Sequence, residues 1–274
     1  MTVHEPAFGQ SAAPRIDGRA ALVTGSTDGL GLAIAEALAG AGCSVMLNGL
    51  EPEAAAQPKV AALQERAGVA VLYRQADLAS ASAVEALVGA AEAAFGGIDI
   101  LVNNAVVRHF APIVDFPPDR WDAALAVNLS AAFHAIRLSL PGMRARNYGR
   151  IFNMTSVYGS RGTVDRVDYI TTKSALLGLT RSVALENLEF DVTCHSICPG
   201  SVLTPNIEGR VVRLMEERDL SREAAEAVFL KGKQPGGRFV SARSVTDLLV
   251  FLCGPIARDM TGAMLPVEAG WLAS

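Results

Sequence analysis

The feature that most constrains this chain is the alternation of short apolar runs with helix-period segments. Apolar runs fall at 19–24, 44–48, 69–73, 98–103, 149–154, 191–197 and 263–267, and helical patterns separate them at about 30–41, 52–67, 81–95, 118–146, 167–188 and 242–253. Continuous apolar runs of strand length are buried on both faces, and a helix between successive strands makes them parallel neighbours. Right-handed crossovers then place helices on both sides of the sheet. The pattern predicts an α/β fold, a single-domain doubly wound parallel sheet whose ligands bind at the C-terminal strand ends. At 274 residues the chain suits one such domain over 17–274, preceded by a flexible tail over 1–16. The rhythm breaks at about 201–240, where Thr204-Pro205, a charged helical stretch at Val211–Arg218 and Gly236-Gly237 predict an inserted lid or pocket wall.

The first strand runs into Thr24-Gly25-Ser26-Thr27-Asp28-Gly29-Leu30-Gly31, which opens the helix Leu32–Ala39. A strand, a glycine turn and a helix in that order are the context that a dinucleotide site of Rossmann type needs, and also that of an ordinary glycine-rich βα turn. Glycines let a pyrophosphate approach the backbone, and the helix N-terminus offers free N–H groups and a positive dipole end.

Tyr169 and Lys173 stand one helical turn apart in Tyr-Ile-Thr-Thr-Lys, so phenol and ammonium share a face, and Ser156 lies upstream at a strand-to-loop edge. A free phenol is a poor base near neutrality, and an adjacent ammonium favours the phenolate. Such a pair suits proton exchange with an alcohol or a carbonyl, and a serine hydroxyl can hold the same oxygen.

The formal charge of −4 and a pI near 5.6 point away from nucleic acid and from anionic membranes as partners. No apolar run reaches membrane-span length, and the N-terminus lacks the pattern of a secretory leader, so a cytoplasmic protein is expected. Cys43, Cys194, Cys198 and Cys253 form no Cys-x-x-Cys pair and are expected as buried thiols. His4, His109, His134 and His195 have no metal-ligand spacing, and no metal site is expected.

Together the glycine turn and the Tyr/Lys pair resemble the short-chain dehydrogenase/reductase family, and further motifs follow in the family's order. Asp77-Leu78 follows the third strand, Asn103-Asn104-Ala105 ends the fourth, Asn128 stands in Val-Asn-Leu-Ser, and Pro199-Gly200 precedes Thr204. The resemblance runs from about Asp17 to Trp271. It implies hydride transfer between a secondary alcohol and a nicotinamide cofactor, with Asn128, Ser156, Tyr169 and Lys173 catalytic and Asn128 carrying a proton-relay water. The cofactor site it implies comprises Gly25, Thr27, Asp28, Gly29, Leu30, Gly31, Asn48, Leu50, Asp77, Leu78, Asn104, Ala105, Tyr169, Lys173, Pro199, Gly200, Val202 and Thr204. Val106 departs from the family's usual Gly, and Val267-Glu268-Ala269-Gly270 from its Val-Asp-Gly-Gly. Family members are commonly tetramers, so a homotetramer is expected. A 2′-phosphate calls for Arg or Lys beside the adenine ribose. The corner formed by Ser26–Asp28 and Asn48-Gly49-Leu50-Glu51 holds no cation and two acidic residues, which favours NAD.

Over longer stretches, among them Leu47-Asn48-Gly49, Phe116 to Trp121, Leu140 to Asn147, Lys233-Gln234-Pro235 and Gly270 to Ala273, the chain resembles the (R)-3-hydroxybutyrate dehydrogenases of that family. Pocket positions differ from theirs: Arg108 for Gln, Tyr158 for His, Arg166 for Lys, Ser201 for Trp and Arg210 for Gln. With Ser156 these are the expected substrate contacts. Arginine adds forked charged donors, and trading Trp for Ser frees volume. The expected substrate is an anionic alcohol or ketone, larger or more highly charged than hydroxybutyrate. A sugar or polyol, a sulfonated or 3-oxoacyl substrate, and a non-catalytic NAD-binding protein remain open.

Overall fold

The computed structural model describes residues 15–274. The first fourteen residues of the expected tail, His4 included, lie outside that range. Ile16 is already part of the packed domain: it is buried and its N–H donates to the Ala41 carbonyl.

β1 (Ala20–Val23) consists of four aliphatic residues, all buried, which a strand tolerates only when neighbours cover both its edges and faces. Those neighbours are β2 (Ser44–Gly49) and β4 (Ile100–Asn103), both parallel to it. With β3 (Val71–Gln75), β5 (Gly149–Met154), β6 (Val192–Pro199) and β7 (Met264–Val267) they form a seven-stranded sheet of order β3-β2-β1-β4-β5-β6-β7. All the pairings are parallel, as the rhythm predicts. The order reverses between β1 and β4, and a crevice opens there at the C-terminal strand ends.

Helices cover both faces. On one side α1 (Gly29–Gly40), α2 (Glu53–Ala67) and α9 (Ala242–Phe251) bury Ile34, Leu38, Val60, Leu63 and Leu249 against the sheet. On the other, α3 (Ala81–Phe95) contributes Leu87 and Val88 to a second core. Each such side chain stabilises the fold by about 1.5–3 kcal/mol through removal of apolar surface from water.

The helix expected over 118–146 is divided. α4 (Pro118–Leu125) passes into a π turn (Ala126–Ser130), closed by the Ala131 N–H donating to the Ala126 carbonyl, and then into α5 (Ala131–Ala145). By length and mean hydropathy one window of Pro118–Ala145 would suffice to cross a membrane. Its residues Ala131, Ala135, Ile136 and Met143 instead fill the second core, as a core helix of this fold requires. α6 (Val167–Leu185) completes that layer. All the cysteines are buried and free.

The insertion at 201–240 folds as α7 (Pro205–Arg218) and α8 (Arg222–Leu230), with a small core of Val211, Ala225, Phe229 and Leu230. Ser221 caps α8 by accepting from the Ala224 N–H. Gln234 ties the insertion's ends to the body: its Oε1 accepts from the Ser201 N–H at 3.0 Å and its Nε2 donates to the Arg238 carbonyl at 2.8 Å. The Val240 N–H donates to the Ser201 carbonyl at 2.9 Å, so the lid leaves and rejoins the domain at one point.

Candidate active site

A cleft of about 510 Å³ lies over the C-terminal ends of β1, β2, β4, β5 and β6, and every residue expected to hold the cofactor lines it. The glycine turn forms its floor. Gly25 and Gly29 adopt positive φ, and a Cβ on Gly31 would lie 2.1 Å from the Gly25 carbonyl oxygen. A side chain there would push the turn apart. The Asn-Asn-Ala motif secures the turn from β4: the Asn104 Nδ2 donates to the Thr24 and Gly25 carbonyls at 3.0 and 2.9 Å, and the Asn104 N–H donates to Thr24 Oγ1. Asn48, buried, accepts from the Gly25 N–H and donates to the Arg74 and Ala76 carbonyls. Its side chain thus holds the turn to the sheet and has no donor left for a ligand.

The ribose corner differs from the cation-free expectation. Lys59, reaching across from α2, donates to the Thr27 carbonyl at 2.6 Å. Glu51 faces the same loop, accepting from Thr27 Oγ1 at 2.7 Å. The corner therefore carries one cation committed to a backbone oxygen and a carboxylate at the cleft wall.

At the other end of the cleft α6 presents Tyr169 and Lys173 on one buried face. Asp168 sets the start of that helix: Oδ1 accepts from the Tyr169 N–H, and Oδ2 accepts from the His109 N–H at 3.0 Å. This couples α6 to the loop that leaves β4. Sequence reasoning passed over Asp168, although an acidic residue at a helix start was its signal. Lys173 Nζ donates to the Met154 carbonyl at 2.6 Å and lies 5.7 Å from the Tyr169 ring centroid. Burial, then the charge of Arg108, pushes its pKa down to about 7.

Ser156, two residues beyond β5, accepts from the Tyr158 N–H at 3.3 Å, which leaves its O–H free to donate into the cleft it lines. Asn128 sits in the π turn just behind. Its Oδ1 accepts from the Val107 N–H at 2.8 Å, and its Nδ2 donates to the Val107 carbonyl and to Thr172 Oγ1. The amide is spent on pinning the β4 exit beside Tyr169.

The expected substrate residues divide. Arg108 and Ser156 line the cleft; Tyr158, Arg166, Ser201 and Arg210 are not on its wall. Tyr158 meets Tyr169 edge-on at 6.3 Å and Trp271 at 5.2 Å. The guanidinium of Arg108 lies 5.4 Å from the Tyr169 centroid and that of Arg166 4.9 Å, so two cations flank the phenol. Arg166 also lies 4.6 Å from the Phe110 centroid, a ring that Arg210 approaches to 5.7 Å. Ser201 is buried, its backbone held by Gln234. Lys233 at 3.8 Å from the Phe229 centroid is a further cation of this region that sequence reasoning did not single out. Among the described residues no cluster of His, Cys, Asp and Glu suits a metal ion.

Comparison with known proteins agrees with this geometry. A D-beta-hydroxybutyrate dehydrogenase of Cupriavidus necator is 42% identical over 258 residues, covering 94% of this chain and 99% of the relative. One of Rhizobium meliloti is 39% identical, covering 93% of this chain and 99% of the relative. The crystal structure of L-sorbose reductase from Gluconobacter frateurii, complexed with NADPH and L-sorbose, superposes with a TM-score of 0.90 at 30% identity, covering 96% of this chain and all of that one. The sequence profile described as short chain dehydrogenase matches residues 19–211. With the glycine turn, the Asn104 stitch and the Ser156–Tyr169–Lys173 face in one cleft, the chain belongs to the short-chain dehydrogenase family of oxidoreductases.

Proposed function

We propose that this oxidoreductase uses NAD to interconvert a secondary alcohol and a ketone on an anionic hydroxy acid. The observation that carries the reading is Arg108, which lines the cleft 5.4 Å from the Tyr169 ring centroid, joined by Arg166, off the cleft wall but 4.9 Å from the same ring. A carboxylate held there would bring a neighbouring hydroxyl carbon to the phenol, since guanidinium and carboxylate pair through parallel hydrogen bonds. The two hydroxybutyrate dehydrogenases among the relatives support a hydroxy acid.

A nicotinamide cofactor suits the cleft: a Cβ on Gly25 or Gly31 would meet backbone atoms at 2.8 or 2.1 Å, so the turn keeps its glycines, and α1 opens from it with the free N–H groups that a pyrophosphate needs. When bound, it accepts hydride in the oxidation and returns it in the reduction. The Tyr169 phenolate takes the hydroxyl proton. Ser156, whose Oγ already accepts from Tyr158, donates to the reacting oxygen. Lys173 anchors to the Met154 carbonyl beneath the phenol. Asn128 acts as a positioning residue through Val107 and Thr172. Proton transfer of this kind contributes about 10²–10⁴-fold, and orientation supplies much of the remainder.

NAD over NADP rests on Glu51, whose carboxylate at the ribose corner repels a 2′-phosphate. Action in the cytoplasm, where the cofactor pool is at hand, and assembly as a homotetramer belong to the same reading. A second reading is a reductase of neutral sugars with NADPH, which the likeness to L-sorbose reductase favours.

Absorbance at 340 nm separates the two. Turnover of (R)-3-hydroxybutyrate or a larger hydroxy acid is expected with NAD, with NADP at least tenfold poorer in kcat/KM. Arg108→Met and Arg166→Met should each raise KM for the acid about tenfold and leave the KM for NAD within twofold. Equal turnover of neutral sugars, or kinetics indifferent to both substitutions, would overturn the anionic reading.

A further inference from the structure

The cations near Tyr169 continue outward as a row interleaved with aromatic rings. Arg108 and Arg166 face Tyr169. Arg166 and Arg210 share the Phe110 ring. Arg210 lies 5.0 Å and Lys233 3.8 Å from the Phe229 centroid on the lid, and Lys233 Nζ spends one of its N–H groups on the Phe229 carbonyl at 2.6 Å. Among the described residues none of these four cations forms an ion pair, although the lid does not lack carboxylates. Arg222, on the same lid, is paired with both Glu208 and Glu226. The four cations sense one another instead. Burial, then the charges of Arg210 and Arg166, brings Lys233 down to about 8. Burial, then Arg166 and Arg108, lowers Arg210. The buried Nε of Arg166 has no hydrogen-bond partner.

Uncompensated like charges oppose the docking of the lid until an anion lies between them. One carboxylate is matched by the pair that flanks Tyr169. It leaves the pair on Phe229 unanswered, since Arg210 and Lys233 rest on that ring and neither is placed against Tyr169. We infer that the site takes a substrate with two anionic groups, a carboxylate at Arg108 and Arg166 and a second, remote from the reacting carbon, at Arg210 and Lys233. The inference rests on the anionic reading above and names the class within it: a hydroxy diacid or its phosphonate or phosphate counterpart. Lys233 is thereby a specificity residue on the lid.

The test is calorimetric titration of NADH-saturated protein, at fixed ionic strength, with butyrate, glutarate, adipate and 3-phosphonopropionate. Glutarate or adipate should bind at least tenfold tighter than butyrate. Lys233→Met should weaken the better diacid about tenfold while shifting butyrate less than threefold, and Lys233→Arg should restore most of the loss. Arg210→Met should likewise cost the diacid more than butyrate. An advantage of 3-phosphonopropionate over the diacids would assign the outer position to a phosphate-like group, and equality would assign it to a carboxylate; either supports a second pole. Diacids that bind no tighter than butyrate, or a Lys233→Met variant that weakens both alike, would overturn it. The two readings fail separately. Arg108→Met and Arg166→Met variants that bind butyrate normally would sink the first anion position. Variants that lose butyrate while Lys233→Met spares the diacid would sink the second position alone.

Discussion

The floor of the cleft and its lid are built by different means. At the floor, polar groups are almost fully spent: buried Asn48, Asn128 and Asp168 and half-buried Asn104 each bind backbone groups of a neighbouring segment. The lid has a four-residue core, one tether at Gln234, and long cationic side chains resting on rings. A floor of satisfied buried hydrogen bonds holds atoms at fixed distances, since each unmade bond costs about 1–3 kcal/mol. A lid with few buried contacts opens locally at small cost. On the proposed reading, geometry belongs to the floor and choice of substrate to the lid.

The largest effect that would sharpen this division is Tyr169→Phe. It should lower kcat by about 10²–10⁴-fold while NADH binding, read by fluorescence titration, stays within twofold. Activity within threefold of the unsubstituted enzyme would remove Tyr169 from the floor's chemistry.

A smaller effect concerns Lys173. Its folded pKa of about 7 lies below the ordinary 10.5, so between those values the unfolded chain binds more protons than the folded one. The contribution of Lys173 to the stability of the ligand-free protein is therefore least favourable below about pH 7 and improves toward pH 10. Lys173→Met should flatten that rise in Tm between pH 7 and 10, leaving the contribution of Lys233 on the lid. Parallel pH curves for the two proteins would show that the floor carries no such strain.

The smallest test touches the lid. Ser221→Ala removes the cap of α8, worth about 1 kcal/mol, and should speed amide exchange in α8 while α6 keeps its protection. Faster exchange in both helices would mean that floor and lid are one unit, and the comparison would fail.

The sequence was most legible where the physics is local. Buried strands, the glycine turn and the Tyr169/Lys173 spacing depend on neighbours in the chain, and they stand where the pattern puts them. What escaped depends on which distant segments meet. Lys59 reaches Thr27 across the turn of β2 into α2, and nothing near Thr27 announces a cation. Lys233 matters because Phe229 and Arg210 stand beside it once α7 and α8 have folded. The π turn escaped for another reason: over five residues its apolar spacing cannot be told from that of an ordinary helix, and Asn128 reads as a polar interruption.

That turn has a consequence for the rod containing it. An α-helix advances about 100° per residue, so one surplus residue in a wider turn sets the helix before it and the helix after it out of phase. α4 can then show one side to α6 while α5 shows another to α3, although the two run as a single axis. Removing one residue between Ala126 and Ser130 would restore the ordinary winding and twist the rod like a misaligned camshaft, turning either the Asn128 amide away from Val107 or Ile136 out of its layer.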